Sequence, residues 1–499
     1  MKKRLLSLLT ALCLMLTMVP AAFAVDAEDV PVDDQIVAEV SEEVADPVEE
    51  PAAPVEDEPV EEAPAPVEEE PAEEPAEEEP VVEEPVVEEP AEEPVEEPVA
   101  EEPVAEESIE EETEGWDGTT TEAIPSSGEI STAAQLAQLA EDVNNGKNAS
   151  GTFTIVADID LNGQNFTPIG TRSKPFKGTL TANELADGEY PTISNANINH
   201  GDSVRNVGVI GVIDGGTVEN LNFSNITVVS TAEKSPSNFL DKEESTTGIV
   251  AGTLNSGTIR NVIVEDNCSV TGKLRTGGIA GDVNNTGKIE YCKNHATVNG
   301  EKEYTGGIAG AAHNAPTSAG AYGATISNCE NYGSIFGTSS VGGILGYADR
   351  AHIENCYNEG TISGTGNYGT AGIVGTNIYN IFRVIFNVKP TVASTISNCQ
   401  NAGNVNASYA GGILGAYVSA PGDAQPDNLL NCTITNCSNS GTITGSSGKI
   451  GGIFGHQISY ASGDASNNIN NMGVVMNGCV NTGNPNNMSG STVSISIGE

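Results

Sequence analysis

Six cysteines return in one slot of a repeating pattern: Cys292, Cys329, Cys356, Cys399, Cys437 and Cys479. The pattern is Ile-x-Asn-Cys-x-Asn-x-Gly-x-Ile/Val. It reads "ISNCENYGSI" (326–335), "IENCYNEGTI" (353–362), "ISNCQNAGNV" (396–405) and "ITNCSNSGTI" (434–443), with "IEYCKNHATV" (289–298) degraded and "MNGCVNTG" (476–483) last. Thiols placed this way have three possible uses. Zinc would need four ligands converging on a point. Disulfides would need Cβ atoms about 3.8 Å apart. Free thiols could also simply fill apolar space as small hydrophobes. Leu221 and Val262 hold the slot in earlier copies. A slot that takes Leu or Val is apolar, so space-filling is the favoured reading, with disulfide and metal as alternatives. Cys268 and Cys432 stand outside the slot.

Other reactive groups are thin. "DIDLNG" from Asp158 begins like an EF-hand loop, but the twelfth position is Ile169 where a bidentate Glu is required. The five histidines, His200, His295, His313, His352 and His456, share no repeat slot. Acids are scattered, without the paired carboxylates that glycoside hydrolysis needs. No phosphate loop, nucleophile elbow or basic nucleic-acid patch is present. No catalytic, cofactor-binding or metal-binding residue is therefore expected, and no nucleic-acid partner.

The elements that carry these residues follow from a second half-repeat, Gly-Gly-Ile-x-Gly. It occurs as Gly277-Gly278-Ile279-Ala280-Gly281 and again with final glycines at Gly310, Gly346, Gly415 and Gly455; Ala371-Gly372-Ile373-Val374-Gly375 is a variant, and weaker copies end at Gly211 and Gly252. Successive final glycines are 41, 29, 29, 36, 29, 40 and 40 residues apart. A unit of that length, rich in Gly and β-branched residues, disfavours helix. Two or three short strands per unit, stacked on the next at about 4.8 Å, make a parallel β-helix. In-register stacking would pile Ile259, Ile289, Ile326, Ile353, Ile396 and Ile434 into one internal column and the six cysteines into another. Asn294, Asn331, Asn358, Asn401, Asn439 and Asn481, two residues after each cysteine, are read as a ladder at a corner, where Asn tolerates left-handed backbone angles. Glu219, Arg260 and Glu290 share a slot, so opposite charges would stack.

A solenoid must cover its open end. "ISTAAQLAQLAEDVNNG" (130–146) has helical periodicity over about 132–145, with Ser131 or Thr132 as cap, Leu136, Leu139, Ala140 and Val143 on one face, and Gly146 as stop. That stretch, "ADIDLNGQNFTPIG", "FKGTL" and the following repeats together resemble the GLUG-repeat surface proteins of bacteria, over about residues 128–490. The resemblance implies a secreted, adhesin-like β-helix and offers no catalytic motif to transfer. No LPxTG-type sorting sequence follows Gly490, a departure from the usual layout.

The chain opens with "MKKRLLSLLTALCLMLTMVPAAFA". A basic start, a short apolar run and Ala22-Phe23-Ala24 read as a secretory signal peptide over 1–24. Cys13 lies inside the apolar run and is not read as a lipidation site. No later segment is apolar enough to span a membrane. The formal net charge of −51 is concentrated: residues 25–114 hold 40 Asp and Glu and no Lys or Arg. The Glu/Pro/Val-rich segment 25–115 has little to bury and is expected to be a disordered spacer, extended by proline and self-repulsion. The domain 116–499 is the β-helix.

Length variation within the repeats points to a surface. From the final glycine to the next Ile slot, the gap is 7, 7 and 8 residues early, then 16, 7, 21, 19 and 21, whereas the distance from each cysteine to the next final glycine stays between 16 and 19. The insertions therefore enter at one corner, where stacked loops commonly bind. They carry His313, Tyr322, Tyr379, Phe382, Phe386, Tyr417 and Tyr460, the candidate ligand-binding residues. "NIYNIFRVIFNV" (377–388) is either an exposed anchor or a segment folded back on the solenoid. The expected function is non-catalytic, adhesin-like binding of a glycan or a host or matrix protein, secreted or at the bacterial surface. The alternatives are a polysaccharide lyase or hydrolase on a β-helix scaffold, and a passive surface component.

Overall fold

The structure, a computed structural model, describes residues 115–233, 245–313, 323–366, 369–377, 392–420, 432–445, 450–460, 474–484 and 496–498. Residues 1–114, which hold the expected leader and nearly all of the acidic segment, lie outside them.

The fold is a parallel β-helix with a single helix among the described residues. Strands pair with their equivalents in the next coil, always in parallel, as in Ile289↔Ile326, Ile326↔Ile353, Ile353↔Ile396 and Ile396↔Ile434. Three sheets result, of 26, 8 and 7 strands among the described residues. One coil shows the plan. Arg275–Gly277 lies in the seven-stranded sheet and Ala280–Asn284 in the eight-stranded one; Lys288–Glu290, Lys293–Asn294 and Thr297–Gly300 lie in the large sheet. The coil is thus cut into five short strands rather than two or three.

The cuts have a local cause. The residue immediately before the cysteine slot is left-handed in every copy: Asn220, Asn261, Tyr291, Asn328, Asn355, Asn398, Asn436 and Gly478 have φ of 51–61°. Asn and Gly reach this region at little cost, so the strand breaks there and turns. This corrects the expectation for the asparagines two residues after the cysteine. They do form a ladder, but none of them has positive φ. The left-handed corner belongs to the residue three positions earlier. Its asparagines make a looser, exposed ladder, with Asn261 Nδ2 donating to Asn220 Oδ1 at 2.8 Å and Asn355 to Asn328 at 3.3 Å.

The buried ladder is continuous. Nδ2 of Asn294, Asn331, Asn358, Asn401 and Asn439 each donates to Oδ1 of the next asparagine at 2.7–2.8 Å, ending on Asn481. Each amide also donates to the carbonyl two residues on, as Asn358 does to Gly360 at 3.1 Å. The two half-repeats meet here. A Cβ on the second glycine of Gly-Gly-Ile-x-Gly, at Gly278, Gly307, Gly343, Gly372, Gly412 or Gly452, would overlap the ladder asparagine beside it. That close approach is why the motif keeps a glycine at this position.

Beside the ladder stand the isoleucine column and the cysteines, nearly all fully buried. All eight described cysteines are free. In the slot, each thiol donates to the carbonyl two residues back, Cys329 to Ser327 at 3.2 Å and Cys399 to Ser397 at 3.2 Å. The left-handed corner lies between donor and acceptor, and the same carbonyl also accepts the backbone N–H of the corner residue in the preceding coil, Ser327 O from Tyr291 at 3.1 Å and Ser397 O from Asn355 at 3.0 Å. A weak S–H donor serves it, while the sulfur fills the space taken by Leu221 and Val262. Burial pushes the Cys268 thiol up to about 11 and raises Cys432 and Cys329 as well, so these sulfurs are not thiolates at neutral pH.

The helix runs Ala133–Asn144. Thr132 caps it, its hydroxyl accepting the Gln135 N–H at 3.2 Å. Leu136, Leu139, Ala140 and Val143 join the same core cluster as Ile130, Ile155 and Phe166 of the first coils. Asn144 ties the helix end to the first winding through Pro168 O and Gly170 N–H, both at 3.0 Å. No helix among the described residues is long and apolar enough to cross a membrane.

Candidate functional site

The residues proposed for the insertion corner are placed unevenly. Tyr322, Tyr379, Phe382 and Phe386 lie outside the described residues. His313 ends the strand Ala309–His313, opposite Asp349. Tyr417 and Tyr460 lie on Leu414–Ala420 and Phe454–Tyr460, which pair along all seven residues, two more than the equivalent strands Ala280–Asn284 and Leu345–Asp349. Residues 314–322, 378–391, 421–431 and 461–473 all fall between a strand of the eight-stranded sheet and the next strand of the large sheet, the corner where the length variation enters.

Elsewhere, polar side chains have structural work. Asp158 accepts the Thr192 N–H at 2.8 Å, and Asp160 takes the Asn162 N–H at 2.7 Å and the Asn195 amide at 2.8 Å. Both carboxylates of "DIDLNG" thus tie this segment to the one that pairs with it, and Asp160 also closes a turn. Arg260 pairs with Glu219 at 2.6 Å and lies opposite Glu290, so opposite charges stack. Where the eight- and seven-stranded sheets meet, Arg275 pairs with the buried Asp282 at 2.6 Å, and Tyr304 stacks on Tyr347 at 4.6 Å. Burial, and then Asp349, push the Tyr347 hydroxyl well above its ordinary range. No cluster of metal-ligating side chains occurs among the described residues.

The outward face of the large sheet holds a different arrangement, which the repeat pattern does not mark. In three consecutive coils the positions flanking the ladder asparagine carry Lys293 and His295, then Glu330 and Tyr332, then Tyr357 and Glu359. The imidazole of His295 stacks on Tyr332, centroids 4.8 Å apart and planes 9° from parallel. Tyr357 meets Tyr332 edge-on at 6.1 Å and 63°. Each phenol donates to a carboxylate two residues away, Tyr332 to Glu330 at 2.8 Å and Tyr357 to Glu359 at 3.0 Å. Lys293 pairs with Glu330 at 2.8 Å. Partial burial raises the Glu330 carboxyl, but the Lys293 and Tyr332 hydrogen bonds outweigh it and hold the group below its ordinary value. Partial burial and the bond to Glu330 push the Tyr332 hydroxyl up to about 12.

Two rings extend the patch. Phe336 is 44% exposed and Tyr291 60%. Tyr291 is the one bulky residue in the left-handed corner slot, with φ 55°. Such a conformation strains an aromatic residue and is a reason to look for function. The fold itself does not ask for these rings. In the next two coils the same flanking positions hold Gln400 and Ala402, then Ser438 and Ser440. The signal in the sequence is a run of aromatics in the x positions of the repeat, which its invariant positions do not mark.

No curated protein matches the chain. Among solved structures it is similar to that of a "putative immunoglobulin A1 protease" from Bacteroides ovatus, with 20% identity and a TM-score of 0.39 over 67% of this chain and 84% of that one. At that score the likeness carries no argument. Residues 337–363 match the GLUG motif. The match begins at Gly337, runs through Gly342–Gly346 and "IENCYNEGTI", and includes Tyr357 and Glu359 of the patch. The chain is therefore a parallel β-helix carrying a GLUG motif in the coil that ends the aromatic patch.

Proposed function

We propose that this is a secreted or surface-displayed, adhesin-like protein that binds an extracellular ligand on the outer face of its β-helix and catalyses no reaction. The observation that carries this reading is the patch itself: rings, carboxylates and one ammonium group concentrated on three coils, at positions where the next two coils hold Gln400, Ala402, Ser438 and Ser440. Exposed polar residues that packing does not require are the mark of binding. The leader-like N-terminus and the GLUG motif support an extracellular setting. The ionisable groups of the patch are engaged with one another and do not converge on an enclosed pocket, which favours binding over turnover.

The test is to present the full chain to immobilised glycans and extracellular matrix proteins, and to repeat the measurement with Tyr332→Ala and Tyr357→Ala. Capture that both variants lose supports the reading. Glycan turnover that disappears when a single carboxylate is replaced would make the protein an enzyme; capture of nothing would make it a passive surface component. A second binding surface at the insertion corner is favoured by the long pair Leu414–Ala420 and Phe454–Tyr460, which reaches toward two of the insertions. Deleting 377–388, or replacing Tyr417 and Tyr460, tests that surface separately.

A further inference from the structure

We propose that the patch takes a neutral glycan, a stretch of two or three sugar units lying across Tyr291, His295, Tyr332 and Tyr357; this rests on the reading of that face as a binding surface.

Size is the first argument. Three coils span roughly 10 Å along the axis, and the outward positions from Tyr291 to His295 span roughly 13 Å across it. A stable protein interface needs about 800 Å² from each partner, several times this area. The next two coils carry Gln400, Ala402, Ser438 and Ser440 at these positions, and the exposed Val480 comes only in the third, so the run of rings is not continued in that direction. An oligosaccharide fits the dimensions.

Charge is the second. Lys293 is neutralised by Glu330 at 2.8 Å, and Glu359 adds a further carboxylate. The patch carries a slight negative excess, which disfavours sulfated or uronic-acid chains. Hydrogen bonding is the third. Both phenol protons are committed to carboxylates, which leaves phenol and carboxylate oxygens as acceptors. A ligand rich in hydroxyl donors satisfies them, while the aromatic rings cover its apolar C–H faces. The strained Tyr291 fits the same picture, because an exposed ring at the corner serves the ligand and not the backbone turn.

The experiment is native affinity electrophoresis of the full chain through gels containing galactomannan, xyloglucan, arabinoxylan or yeast mannan, with polygalacturonate and heparin as acidic comparisons. At least one neutral polysaccharide is expected to retard the protein equally at low and high salt, and no acidic one. Tyr332→Ala and Tyr357→Ala should weaken the interaction about tenfold each; Ala402 and Ser438 occupy the corresponding positions of later coils, so the fold tolerates the change. Tyr291→Asn should weaken it while leaving the protein folded, and Ser438→Ala should have no effect. Retardation by none of the neutral chains, or by acidic chains alone in a salt-dependent way, overturns the proposal. Matrix-protein capture that is lost in Tyr332→Ala without any glycan retardation overturns the glycan assignment while sparing the binding face. Glycan retardation unchanged in both tyrosine variants overturns both.

Discussion

Replacing Asn358 by Ala should open the solenoid in its middle. Asn358 is fully buried. Its Nδ2 donates to Asn401 Oδ1 at 2.7 Å and to Gly360 O at 3.1 Å, and its Oδ1 accepts from Asn331 Nδ2 at 2.8 Å. Alanine removes all three. Asn331 keeps its bond to Gly333 O at 3.0 Å, but Asn401 Oδ1 and Gly360 O lose a donor in a site with no water access. Each buried orphan costs about 1–3 kcal/mol, and the space vacated against Gly343 adds to this. The expected loss is about 3–6 kcal/mol, felt first in the coils next to 358 because a solenoid couples each coil only to its neighbours. A single unfolding midpoint is a poor reporter of such a change. Native-state hydrogen exchange across residues 326–405 is the better assay, since it reads local opening. Asn355→Ala is the internal comparison. That residue is exposed with φ 54°, and its amide reaches Asn328 at 3.3 Å. Its replacement should cost about 1 kcal/mol, for the left-handed backbone alone. If Asn358→Ala opens its coil no more than Asn355→Ala does, the buried ladder is not what closes the repeat and the reasoning fails.

Tyr291→Asn should stabilise the protein by about 1 kcal/mol, because Asn suits the left-handed corner and can join the exposed ladder; a lower denaturation midpoint would show that the ring is held by packing instead. Under native conditions a polar alkylating reagent should react slowly with Cys292, Cys329, Cys356, Cys399 and Cys437 and faster with Cys479, which is only partly buried; mass spectrometry of the labelled peptides decides it. Glu330 has a folded pKa below its ordinary value of 4.5, so its contribution is fully present above pH 4.5 and disappears as pH falls through the folded value. Glu330→Gln should remove that part of the acid sensitivity, which denaturation at neutral and acid pH will show; unchanged acid sensitivity would mean that the Lys293 and Tyr332 contacts are not made in solution.

Much of the architecture is legible in the residues because stacking in register converts sequence period into spatial columns. Ile289, Ile326 and Ile353 recur at the repeat spacing, and they meet in space for that reason. The buried identity of the cysteine slot followed from Leu221 and Val262 standing in it. Position within the corner was harder. The asparagines before and after the cysteine look alike on paper, yet one turns the chain and the other bonds along the axis. Which does which depends on the side of the coil that faces inward. The patch was harder still, since Tyr332 and Tyr357 sit at variable positions that no repeat pattern marks.

The sequence by itself determined that this chain coils in parallel, where its helix caps it, and which columns are dry, because short-range period and apolar patterning specify those features. Only the tertiary structure decided that His295, Tyr332 and Tyr357 form one surface. They are 37 and 25 residues apart along the chain and become neighbours because each coil advances by only one strand spacing. It likewise decided that the glycine of one half-repeat lies against the asparagine of the other, a contact across the interior that spacing along the chain does not reveal.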